Sequence, residues 1–411
     1  MPATFENVTI AARALVLLGA VPCAALVLHC GSFSEGSSDA TVDAAQEATE
    51  LDAAALPPDA ALEQDGGCRP PAPPTNQCFA KGGPLCVPTT RSFSNLANLG
   101  QGRVPLAYPH HPVRWGNHLF VAVQENTEEG RNAGGPGYIV RVDVPSMSNP
   151  TIVTELLQQP AALVVNERFL YWRTATTVDA TVHSRVERID LTQTGALPCT
   201  PNTCGLEIVA TATGARIEEI FPRSPTDVYF RFGRSDLWRA TRDADSWQNP
   251  APILTGSTDS VLTGHYCATL SNDGKATYLY DLLPSEPTMV SRWANAGTRW
   301  LTSACGEAYL YESNAKNPFS QVLFANDGAD GGLSPLTCKD CNEALIFGAS
   351  IDAQFVYVAA PNAGFVRAVP RAGGDAVTLV KGDVWDVIND DDAVYFTTMG
   401  ATPVLGRIAK K

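Results

Sequence analysis

Histidine is scarce in this chain, methionine scarcer, and nothing concentrates positive charge. The 411 residues hold 6 His and 4 Met, and no basic run occurs before the terminal Lys410-Lys411 pair. Phosphate binding relies on clustered Lys and Arg, so nucleic acid is excluded as a partner. Beyond the N-terminus no apolar run approaches the roughly 20 residues that a bilayer-spanning helix needs. A sustained i, i+3, i+4, i+7 apolar stripe is also missing, which removes helical architectures. No G-x-S-x-G, H-E-x-x-H, P-loop or G-x-G-x-x-G occurs, so no motif names a reaction or a cofactor, and none is expected.

Glycine and proline, at 33 and 30, are plentiful, and 45% hydrophobic with 18% charged residues suits a turn-rich globular protein. Most of the formal charge of −14 lies between Gly31 and Gly67, where Glu35, Asp39, Asp43, Glu47, Glu50, Asp52, Asp59, Glu63 and Asp65 occur without a Lys or Arg. That stretch also lacks Tyr and Trp. It cannot bury enough apolar surface to order itself and reads as a tether.

Ahead of the tether, Arg13 precedes an uncharged apolar run from Ala14 to Leu28. Its 15 residues fit a secretory h-region better than a permanent span. The run ends in Val27-Leu28-His29-Cys30-Gly31-Ser32 and resembles a bacterial lipoprotein signal, in which Cys30 becomes the lipidated first residue of the mature chain. His29 stands where that pattern has Gly, Ala or Ser, and an ordinary signal peptide with an incidental Cys30 is the alternative. The expected division is signal peptide 1–29, acidic tether 30–67, Cys/Pro-rich segment 68–91 and folded body 92–411. Export, with a membrane anchor in the cell envelope facing the periplasm or the cell surface, follows from the lipidation reading.

Nine cysteines lie beyond Cys30. In an oxidising compartment they read first as disulfides. Cys199 to Cys204 and Cys338 to Cys341 enclose turn residues and are expected to be local staples. The C-x-x-C spacing of Cys338 and Cys341 also occurs in redox and zinc sites, but a βαβ setting and a second ligand pair are absent. Cys267 and Cys305 precede successive aromatic strands at similar offsets and are expected to join neighbouring repeats. Cys68, Cys78 and Cys86 allow one pair with one thiol over, and spacing does not choose among them.

A short aromatic strand phrase recurs: Phe169-Leu170-Tyr171-Trp172, Val228-Tyr229-Phe230, Tyr278-Leu279-Tyr280, Tyr309-Leu310-Tyr311, Val356-Tyr357-Val358 and Val394-Tyr395-Phe396. With Phe120, the anchors fall about 46 residues apart, near the 40 to 50 of a four-stranded propeller blade. The expectation is an all-β propeller of seven four-stranded blades. The last unit is one strand short, and Leu96-Ala97-Asn98-Leu99-Gly100 is expected to supply the missing strand, so that both termini share a blade. The chain resembles the YVTN-like and WD-repeat-like propeller lipoproteins of Gram-negative bacteria over about 320 residues. That resemblance rests on Gln354-Phe355-Val356-Tyr357-Val358 and Ala393-Val394-Tyr395-Phe396-Thr397. It implies the fold and a binding role, and transfers no catalytic residues.

Candidate chemistry is sparse. His110, His111 and His118 form the main histidine cluster, but Pro109 and Pro112 flank it and a solvated loop is the preferred reading. Asp390-Asp391-Asp392 and the segment 326–331 read as hairpin turns in preference to Ca²⁺ sites. The seven Trp residues are expected to pack between blades. The long segment 126–137 reads as a mobile loop able to carry function. The expected role is a monomeric binding or scaffold module for a protein or glycan, touching the membrane only through its lipid. The alternative is a glycosidic-bond enzyme whose paired carboxylates come from separate blades.

Overall fold

Runs of β-branched and aromatic residues separated by Gly, Asn and Asp turns fold as antiparallel meanders, because each short run can bury its faces only against neighbouring sheets. The computed structural model describes residues 71–93, 107–125, 135–193, 197–200, 203–233, 236–244, 246–263, 266–271, 275–282, 287–294, 299–304, 307–312, 319–323, 332–336, 338–339, 348–360, 363–399 and 403–411. Side chains of 107, 258, 263 and 293–347 are outside the description. The chain divides into units Met1–Pro58 and Asp59–Lys411, and all described residues belong to the second.

That unit is an all-β propeller. The first strands of successive sheets adjoin one another: Val384–Asn389, Ala107–Trp115, Ala161–Asn166 and Ile217–Ser224 follow in order, as do Ser257–Thr263, Arg299–Ala304 and Gly348–Ile351, which returns to Val384–Asn389. Later strands of each sheet step outward. The expected blade count is corrected: among the described residues six four-stranded blades form, not seven. The remaining large sheet, over residues 107–158, has five strands. Its third strand, Pro136–Asp143, outruns the fourth, and Leu157–Gln158 turns back to pair with Pro136 and Gly137. The extra strand covers ladder groups that would otherwise be left unpaired.

The closing strand is also relocated. Thr89–Ser92 pairs antiparallel with Val404–Ala409, from Thr89 opposite Arg407 to Ser92 opposite Val404. Leu96–Gly100, expected at that edge, lies outside the described residues. The body therefore begins earlier than residue 92. A Cys78–Cys86 disulfide ties the preceding segment into a loop, and Cys78, Phe79 and Cys86 join the core beside Tyr357, Leu379 and Phe396. Phe79 meets Tyr357 edge-on at 6.3 Å.

Behind that seam lies a buried ion pair. Lys410 and Asp352, both 0% exposed, approach to 2.9 Å. Nζ of Lys410 also donates to Ala72 O, and its carbonyl accepts from the amides of Thr75 and Asn76. Asp352 accepts from the amides of Gln354 and Phe355 and from the Tyr357 hydroxyl. Burial pulls the lysine's pKa down while Asp352 opposes that shift.

The aromatic anchors conceal a second repeat. Phe120 stands opposite Arg141, Tyr171 opposite Arg188, Tyr229 opposite Arg239, Tyr278 opposite Arg292 and Tyr395 opposite Arg407. Directly opposed residues share a face. Arg188, Arg239 and Arg292 accordingly lie 5.7, 5.4 and 5.7 Å from their tyrosine rings, within cation–π range. The ring phrase marks a blade interior, and the arginine closes one side of it.

Removing one member of the buried pair strands the other charge. Lys410→Ala is expected to cost about 3–5 kcal/mol. Lys410→Met combined with Asp352→Asn should cost clearly less, as read by denaturant unfolding of the two variants and the wild type.

Candidate binding mouth

The first strands all begin at the same end of the ring, and five of them shift register near it. Register shifts fall between His110 and Val113, Ala161 and Val164, Ile217 and Glu219, Ser257 and Asp259, and Val384 and Val387. A β-bulge leaves its extra residue outside the ladder and re-aims its side chain. Here the bulges contain His111, Glu218 and the pair Trp385-Asp386. His111 takes a left-handed φ of 45°, and its amide donates to Asp386 Oδ2 at 2.9 Å across the seam between sheets.

The histidine expectation is corrected in part. His110 and His111 occupy a first strand, not a solvated loop, because Pro109 sits in the ladder and Pro112 falls in the bulge, where no amide hydrogen is demanded. His118 lies at the far end of the same hairpin, opposite Trp115, and bonds Asp143 at 3.0 Å. The three do not converge. No group of three or more metal-ligating His, Cys, Asp or Glu occurs among the described residues.

Burial holds the His110 imidazole down at about 4, with Asp386 opposing and His111 and Arg173 repelling its charged form. Next around the mouth, Arg173 stands opposite Ala161 and is 7% exposed. Its Nε and Nη1 have no hydrogen-bond partner. Burial and the like charge of Arg216 lower its pKa to about 10, so it remains a cation at neutral pH.

Further round, Arg231 spans two sheets, reaching Glu219 Oε1 at 3.2 Å and Asp259 Oδ1 at 2.7 Å. Removal from bulk water pushes the Glu219 carboxyl up to about 8, against the pull of Arg231, with Asp259 and Glu218 adding repulsion. Glu219 keeps 36% of its side-chain surface open, and water there tempers the shift. Its Oε2 has no hydrogen-bond partner. Glu219 and Arg231 are directly opposed in one hairpin, and packing of the next sheet adds Asp259, a juxtaposition with no local sequence signal.

Away from the mouth, the cysteines behave differently from one another. Cys199 and Cys204 form a disulfide with a Cα–Cα distance of 5.6 Å, and the Cys199 amide donates to Val153 O in the neighbouring sheet. Cys267 is a buried free thiol, so the expected bridge to Cys305 is corrected. It packs with Tyr229 and Leu237 of the preceding sheet, facing away from the following sheet to which Cys305 belongs in sequence. Cys30, Cys68, Cys305, Cys341 and the side chain of Cys338 lie outside the described residues, as do 126–134 and 326–331. Asp390 forms an Asx turn, accepting from the amides of Asp392 and Ala393.

No known protein family and no curated protein matches this sequence. Among solved structures the chain is similar to the β-propeller domain of the Trilobed protease from Pyrococcus furiosus, with 11% identity and TM-score 0.50 over 73% of this chain and 93% of that one. It is also similar to YCF48 from Cyanidioschyzon merolae, with 9% identity and TM-score 0.50 over 75% and 98%. BamB from Moraxella catarrhalis gives 10% identity and TM-score 0.43 over 71% and 82%. At such identities the likeness is one of fold, a β-propeller.

The mouth should leave a pH signature. Unfolded His110 gains a proton near its ordinary 6.5 whereas the folded chain resists until about 4. The His110 contribution is therefore complete above pH 6.5 and is lost toward pH 4, by up to about 3 kcal/mol. Glu219, raised in the fold, acts oppositely and loses its contribution as pH climbs from about 4.5 toward 8. In thermal melts between pH 7 and 4.5, His110→Gln should fall less than wild type.

Proposed function

We propose that this chain is a binding or scaffold module that engages a protein or glycan at the mouth where the first strands begin. One observation carries the reading: five first strands shift register near that end, and the residues the ladders skip there include His111 and Glu218. Bulges interrupt pairing at a cost in hydrogen bonds, and they are over-represented beside functional sites. The propeller fold supplies a rigid frame for such a surface.

Export and a lipid on Cys30 belong to the same proposal, supported by the Ala14–Leu28 run and the cysteine that closes it. A second reading has one observation behind it. Glu219 and Asp259 come from different sheets and share one arginine, and burial raises the Glu219 carboxyl, as a general acid needs. Both are engaged by Arg231, which favours a structural ion-pair bridge.

Two experiments test the proposal. A photo-crosslinking residue placed at His111 should capture the partner in intact cells, whereas the same residue at Asn117, at the other end of the strand hairpin, should not; equal capture would move the contact off the mouth. Metabolic labelling with a fatty-acid analogue should mark the wild type and lose the mark in Cys30→Ser. Glu219-dependent release of reducing sugar from a polysaccharide would replace the binding reading with the enzymatic one.

A further inference from the structure

The buried arginines of this fold show what a structural guanidinium looks like. Arg188, 1% exposed, bonds Glu207 at 2.6 and 2.9 Å and the Tyr171 hydroxyl at 3.1 Å, and it lies 4.1 Å from the Phe169 ring centre. Arg231 is held between two carboxylates. Arg173 departs from this pattern. It is 7% exposed, two of its nitrogens lack any partner, and of the charges acting on it Arg216 repels it while Glu218 opposes that repulsion.

Its place is fixed. Ser184 accepts from the amide of Ile217 at 3.2 Å and donates to Thr174 O at 2.9 Å, which sets the backbone next to Arg173 against the start of the strand carrying Glu218. Two arginines are thus gathered at one mouth of a chain whose formal charge is −14. Burying an arginine without its hydrogen bonds disfavours the fold, so the arrangement makes physical sense when a ligand completes it.

We propose that Arg173, with Arg216 beside it, is the docking point for a carboxylate of an acidic peptide segment; the proposal rests on the mouth being the binding surface. The guanidinium matches a carboxylate in shape and charge. Glu218 at the same spot disfavours a dianion such as phosphate more than a monoanion. The rings nearest Arg173 in sequence, Tyr171 and Trp172, are closed within the sheets, so the contact beside it is ionic and not aromatic stacking.

The test uses the full chain, a hexaglutamate peptide as probe and calorimetry at low salt. Wild type binds the probe, Arg173→Met weakens binding at least roughly thirtyfold, and Arg216→Met weakens it less. Arg173→Met also melts at the same or a higher temperature than wild type, because an uncompensated buried charge has gone. A melt that falls while binding holds in Arg216→Met would make Arg173 structural and overturn the proposal. So would a wild type that ignores hexaglutamate, or one that prefers hexagalacturonate or phosphate. Loss of His111 crosslinking would refute the mouth itself. Crosslinking at His111 with no hexaglutamate binding would refute only the carboxylate site.

Discussion

The ring closes over a lysine and an aspartate that water does not reach. Lys410 stands just beyond the last strand, yet its ammonium and carbonyl groups hold residues 72, 75 and 76 while its charge is met by Asp352 of the preceding sheet. A buried pair of this kind adds little net stability over an apolar substitute, but it tolerates no loss of one partner. It therefore specifies as much as it stabilises. With the pair formed, Thr89–Ser92 is delivered to the edge of Val404–Ala409, and the Cys78–Cys86 loop is drawn into the core.

Closure at one end leaves the other free to be irregular. Gly348 shows how tightly the seam is drawn: a Cβ there would fall 3.0 Å from the Asp386 Cα and 3.1 Å from the Val387 amide nitrogen. The neighbouring strand can carry its bulge at Trp385-Asp386 only because glycine lets the two backbones approach. Rigidity and irregularity sit side by side, which is how a fixed frame can hold charged side chains in an unrelaxed arrangement such as that of Arg173.

Much of the fold was legible in the aromatic phrases, since Tyr171, Tyr229, Tyr357 and Tyr395 are buried within the sheets they mark. The arginine partners were not, because a cross-strand pair is defined by hairpin register and loop lengths vary. Thr89-Thr90-Arg91-Ser92 gave no strand signal, for an outer edge strand with both faces largely open needs no apolar alternation. The more apolar Leu96–Gly100 drew attention in its place. At the mouth, two prolines disguised His110 and His111 as a loop, and Arg173 was hidden inside an apolar strand, where nothing in the local sequence distinguishes an unpaired arginine from a paired one. Cys267 misled by spacing alone, since its strand turns the thiol toward the preceding sheet.

The first described residues fix the end at which the chain enters the ring. Pro71 O accepts from the Ala353 amide and the Ala72 amide donates to Asp391, so the chain enters at the turn-lined end, beyond the finish of Val384–Asn389. The bulges lie at the start of that strand, on the far side of the ring. A propeller held at residue 71 would thus present its charged opening on the side opposite the hold.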